Sequence, residues 1–144
     1  MVGYTGGNEE FPTYDDMKDH TEVVRLEYDT TKISTIDLLE KIFKTIHPFN
    51  FCESLECKQY QDGVWWSSED QLEAIMVKVK EYEAKEKVFN KFNPRKVRME
   101  ISQVKKFYKA EEYHQNNYIK AMKTFPTIET KTVKISKEAL KKEL

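Results

Sequence analysis

The run Glu22-Val-Val-Arg-Leu-Glu-Tyr28 constrains this chain more than any other segment. Val24, Leu26 and Tyr28 fall on one face and Val23, Arg25 and Glu27 on the other, the period-two signature of a half-buried strand. Parity puts Glu22 on the more apolar face, so the strand opens with a carboxyl group turned inward. A helix follows at once. Ser34-Thr-Ile-Asp37 has the form of an N-cap with an acid three residues on, and Ile36, Leu39, Ile42, Phe43 and Ile46 recur at helical spacing until Pro48. A strand feeding a helix in this way excludes an all-helical bundle.

The rest of the chain keeps alternating between the two periods. Three of the four glycines lie in the first seven residues, and Gly6-Gly7 reads as a tight turn leaving a strand. A second helix is predicted from Ser68, with Gln71 completing a capping box and Leu72, Ile75, Met76, Val79 and Tyr82 as its apolar stripe. Between the helices, residues 59–66 are expected to hold a short strand with Gly63 as a bulge. Val97, Met99 and Ile101 alternate with charged residues, so a strand is expected after Pro94. A short helix is predicted over residues 110–122. Residues 131–144 read as a lysine-rich, solvated terminus with a last helix. Interleaved elements of this kind point to an α/β (α+β) domain.

At 144 residues the natural division is one domain, here residues 1–123, followed by a lysine-rich tail over 124–144. A net charge of −1 leaves no dedicated nucleic-acid surface. No apolar run approaches the ~20 residues needed to span a bilayer. Two cysteines, Cys52 and Cys57, are too few for a disulfide framework. The expectation is a soluble cytoplasmic protein with neither nucleic-acid nor membrane partners.

Three features carry chemical interest: the inward Glu22, the loop tyrosines Tyr14 and Tyr60, and a polar knot at Glu111-Glu-Tyr-His114. A carboxyl group in an apolar layer holds its proton more tightly, because burial disfavours the charged form, and so suits a general acid. Nearby tyrosine hydroxyls donate to a substrate oxygen that gains negative charge. On spacing alone, a strand-edge glutamate paired with a lysine or arginine is the commoner arrangement, and both readings stay open at this point.

Val2-Gly-Tyr-Thr-Gly-Gly7, Pro12-Thr-Tyr14, Thr21-Glu-Val-Val-Arg-Leu-Glu-Tyr-Asp29, Gln59-Tyr60 and Phe107-Tyr-Lys-Ala-Glu-Glu-Tyr-His-Gln115 occur in that order. Together they resemble the A-type peptide methionine sulfoxide reductases. The resemblance implies a ferredoxin-like plait of split βαβ units. It also implies reduction of methionine S-sulfoxide, protein-bound or free, by thiol chemistry that repairs oxidised methionine. No cofactor or metal enters that chemistry. A cysteine becomes a sulfenic acid, a second thiol resolves it, and thioredoxin or another dithiol resets the enzyme. By motif, Glu22 would protonate the sulfoxide oxygen and Tyr14 and Tyr60 would hydrogen-bond it. Glu112 and His114 would help to bind substrate.

The family's nucleophile lies in a Gly-Cys-Phe-Trp motif upstream of the Gly-Tyr-Thr-Gly-Gly block, and no such motif occurs in these residues. The plait's first strand and helix are expected to be missing with it, leaving sheet edges bare. A longer natural protein would restore the nucleophile. The alternative is a catalytically dead reductase-derived domain that binds methionine sulfoxide or a protein partner. Other departures are Ser54-Leu-Glu-Cys-Lys ahead of Gln59, Gln61-Asp62 after Tyr60, and His20-Thr21 before Glu22. Cys57, at the family's glycine position, reads either as a relocated nucleophile or as a small hydrophobe, and the second is favoured. Cys52, Cys57 and His47 make a poor zinc motif. Trp65-Trp66 are expected to pack in the core.

Overall fold

The computed structural model describes residues 1–115 and 131–136. Its spine is strand β2 (Thr21–Tyr28), which buries Glu22, Val24, Leu26 and Tyr28 as parity requires and leaves Glu27 exposed. Strand β1 (Val2–Thr5) lies antiparallel to β2, and the chain leaves it through Gly6 at φ +90°, a conformation that glycine adopts without a steric penalty. Helix α1 (Thr35–Thr45) starts at Ser34, whose hydroxyl oxygen accepts the Asp37 N–H at 3.1 Å, and Leu38, Leu39, Ile42 and Phe43 fill its inner face.

After a single turn, α2 (Leu55–Lys58), come strand β3 (Gly63–Trp66) and the long helix α3 (Glu69–Phe89). Strands β4 (Glu100–Gln103), β5 (Tyr108–Lys109) and β6 (Lys131–Ser136) complete a sheet ordered β4-β3-β6-β2-β1-β5. The helices pack on each other, with the Phe43 and Tyr82 rings 5.1 Å apart. They share one core with Val2, Val24, Leu26 and Val64 of the sheet. Among the described residues no helix is long and apolar enough to cross a membrane.

The mixed α/β class expected from the sequence is the class observed, but several elements differ in detail. The inner ridge of α3 runs through Gln71, Ala74, Ile75, Lys78 and Val79, so Met76 is turned away and stands 40% exposed. Lys78 takes a place on that ridge because its Nζ reaches both Glu40 and Glu81 at 2.9 Å. Ser68 caps α3 without a side-chain hydrogen bond, and Gln71 reaches back one residue further, accepting the Ser67 N–H at 2.8 Å. Gly63 is no bulge. It stands in register with Glu100, and a Cβ there would lie 2.9 Å from the Glu100 carbonyl oxygen. Strand β4 starts at Glu100 rather than at Val97. Trp65 is fully buried, as expected.

The largest difference is at the end of the chain. Residues 131–136 were read as part of a solvated terminus with a helix, yet β6 lies inside the sheet, antiparallel to both β2 and β3. Strands β2 and β3 are therefore parallel to each other and joined by α1, with a third strand between them, which is a split βαβ unit. In a plait built from two such units that slot belongs to the first strand. Here β6 holds it, so the inner edges of β2 and β3 are paired rather than bare. Of the helix predicted over 110–122, residues 112–115 are helical and residues 110 and 111 are not, while residues 116–122, with the division at residue 123, lie outside the described residues.

Candidate active site

The register of β1 on β2 sets Tyr4 directly opposite Glu22 at the end of the pair nearest the following loops. Glu22 is fully buried and its N–H donates to the Gln59 carbonyl at 3.1 Å. The adjacent Thr21 hydroxyl donates to the Lys58 carbonyl at 3.0 Å. These two bonds tie the start of β2 to the segment that leads into Tyr60.

The polar knot comes to the same place from the far end of the sequence. Gln115 accepts the Val2 N–H and donates to the carbonyls of Val2 and Ala110, each at 2.9 Å, docking the 110–115 segment on β1. That docking brings His114 Nδ1 to 3.9 Å from Glu22 Oε1. The His114 ring is itself buried, and the rings of Tyr14 and Tyr113 stand 4.4 and 4.3 Å from it.

Glu111 organises this cluster. Its carboxylate accepts the Tyr4 hydroxyl at 2.5 Å and the Tyr14 N–H at 3.1 Å. Burial alone would raise the Glu111 carboxyl, but these hydrogen bonds outweigh it and hold the group below the ordinary range. Burial, reinforced by the bond to Glu111, pushes the Tyr4 phenol far above its usual value. Tyr4 is thus a fixed neutral hydroxyl at any physiological pH. On the other side of Glu22 the preceding turn is pinned by His20, whose Nδ1 accepts the Gly7 N–H at 3.3 Å.

Of the residues singled out from the sequence, Glu22, Tyr14 and His114 form one cluster. Tyr60 stands 41% exposed one residue beyond the Gln59 carbonyl that holds Glu22, and lines an open cleft of about 160 Å³ with Phe51, Cys52, Cys57 and Gln61. Glu112 faces solvent and pairs with Lys109, while its neighbour Glu111 faces inward. Tyr4 and Gln115 were not singled out, because the long connection between β1 and β2 hides the register that sets Tyr4 opposite Glu22.

Cys52 and Cys57 differ from expectation. The sequence favours Cys57 as a small hydrophobe and offers Cys52 no role beyond a poor zinc motif, but the two are bridged by a disulfide with Cα atoms 5.7 Å apart, because the turn α2 folds one back beside the other. His47, considered with them as a metal ligand, pairs instead with Asp62 at 3.8 Å.

A family profile described as peptide methionine sulfoxide reductase matches residues 1–144. A peptide methionine sulfoxide reductase of Drosophila melanogaster is 36% identical over 115 residues, covering 79% of this chain and 43% of that protein. The enzyme named MsrA of Ureaplasma parvum is 31% identical over 123 residues, covering 80% of this chain and 69% of its own length. The MsrA of Clostridium acetobutylicum is 34% identical over 120 residues, with 79% and 70% covered. The chain therefore spans under half of the fly relative and about two-thirds of the bacterial ones.

Proposed function

Because this chain belongs to the peptide methionine sulfoxide reductase family, we propose that it recognises methionine S-sulfoxide and returns it to methionine with a thiol as reductant. The observation that carries the reading is the buried Glu22 carboxyl set 3.9 Å from His114, whose ring stands 4.4 Å from that of Tyr14. A sulfoxide oxygen is a strong hydrogen-bond acceptor on an otherwise apolar side chain. Glu22, in its acid form, gives that oxygen a proton while the hydroxyls of Tyr14 and Tyr60 hydrogen-bond it. Protonation weakens the sulfur–oxygen bond and makes the sulfur electrophilic, so a thiolate attacks it. The aromatic rings around His114 offer an apolar wall for the thioether methyl.

Electrons in this scheme come from thiols, so no metal or organic cofactor takes part. The physiological reductant is a dithiol such as thioredoxin, the setting is the cytoplasm, and the role is repair of oxidised methionine.

Glu22→Gln keeps the shape of the side chain and removes its acidic proton. Assayed with dithiothreitol and N-acetyl-methionine S-sulfoxide, the variant is expected to reduce substrate about 100-fold more slowly, with substrate affinity nearly unchanged. An unaltered rate would take Glu22 out of the mechanism.

A further inference from the structure

Cys52 and Cys57 are the only cysteines in these 144 residues, so any thiol chemistry performed by this chain's own side chains passes through them. The fold places them together and beside the candidate site. Both line the cleft that holds Tyr60, and the Tyr60 N–H donates to the Cys57 carbonyl at 3.1 Å. The two carbonyls that follow Cys57, those of Lys58 and Gln59, accept from Thr21 and Glu22 at the start of β2. The bridge is thus anchored by backbone hydrogen bonds to the strand that carries the proposed acid.

A purely structural bridge would be poorly placed here. It closes a loop with a sequence separation of 5, and short loops gain the least from cross-linking. Cys57 is exposed and Cys52 half-buried, so an external thiol has access. Phe51 and Tyr60, 51% and 41% exposed, give the same cleft two aromatic rings suited to a thioether side chain.

We infer that Cys52 and Cys57 are the redox couple of this domain, with Cys57 as the attacking thiol and Cys52 as the resolving one. The inference rests on the sulfoxide-reductase reading above. In the reduced form the Cys57 thiolate attacks the sulfur of methionine S-sulfoxide. The oxygen passes to Cys57 as a sulfenic acid, and methionine leaves carrying the electron pair. The Cys52 thiol then attacks the sulfenic sulfur, forming the Cys52–Cys57 disulfide and releasing the oxygen as water. One sulfoxide and two thiols become one thioether, one disulfide and one water. The bridged state is the oxidised resting form, and an external dithiol attacks the exposed Cys57 sulfur, passes through a mixed disulfide and leaves as its own disulfide, returning Cys52 and Cys57 to thiols.

The test is a single turnover without external thiol. The chain is reduced with dithiothreitol, desalted under anaerobic conditions and mixed with N-acetyl-methionine S-sulfoxide, while free thiols, product and the His114 imidazole resonances are followed. Both thiols should disappear as one equivalent of N-acetyl-methionine forms per chain. Cys57→Ser should yield no product. Cys52→Ser should still yield product but stop at a sulfenic acid on Cys57 that dimedone captures. The wild-type thiol count decides the matter even if a variant folds poorly. Persistence of both thiols without product, while the sulfoxide still shifts the His114 resonances, overturns the redox pair and leaves the binding reading standing. Persistence of both thiols with no shift at His114 overturns both. Full product from a folded Cys57→Ser also overturns the pair.

Discussion

Glu111 accepts two hydrogen bonds from groups that flank the proposed acid, the Tyr4 hydroxyl and the Tyr14 N–H. Removing its charge should loosen both at once. Glu111→Gln is expected to cost about 1–3 kcal/mol at neutral pH, the usual range for a charge-assisted bond left imperfect. The pH dependence has a definite sign. A carboxyl held below its unfolded value stabilises the fold above that value and loses the contribution as pH falls through the folded one. The wild type should therefore lose stability faster than Glu111→Gln in urea titrations taken from about pH 5 down to about pH 3, and the gap between them should close. Parallel curves would show that Glu111 is not held in this way. Glu22 was legible in the sequence because a period of two fixes its face. The choice between Glu111 and Glu112 was not, because it depends on how Gln115 docks a short turn on β1, a contact 113 residues distant.

At the scale of elements, local signals served well where the partner was also local. The Ser34 cap and the α1 stripe follow directly from side-chain spacing. Lys78 and Met76 exchanged places on α3 because Glu40, on another helix, draws the lysine inward. Strand β6 was read as solvated because its pairing partners, Val23 to Tyr28 and Val64 to Trp65, lie far back in the sequence. Its backbone is engaged on both sides, with Lys134 opposite Arg25 on one side and Trp65 on the other. Lys134→Pro removes an N–H from the interior of the sheet and should destabilise the fold by about 3 kcal/mol or more. The denaturation midpoint should fall accordingly. A midpoint equal to that of the wild type would mean that β6 does not contribute to the stability of the sheet.

Over the whole molecule, the sheet brings residues from both ends of the described chain to one corner. Glu22, Tyr14 and His114 meet there because β2 is central, β1 flanks it, and the 110–115 segment is tied to β1. Cys52 and Cys57 reach the neighbouring cleft through the loop that closes on β2. The central claim is that this corner recognises methionine S-sulfoxide, whatever thiol completes the reduction. Calorimetric titration of the 144-residue chain with N-acetyl-methionine S-sulfoxide, its R epimer and N-acetyl-methionine tests it most directly. The S-sulfoxide should bind at least about tenfold more tightly than either of the others, since only it presents the oxygen to Glu22 and the tyrosines, a difference of roughly 1.4 kcal/mol. Equal affinity for all three, or binding of none, would contradict the account.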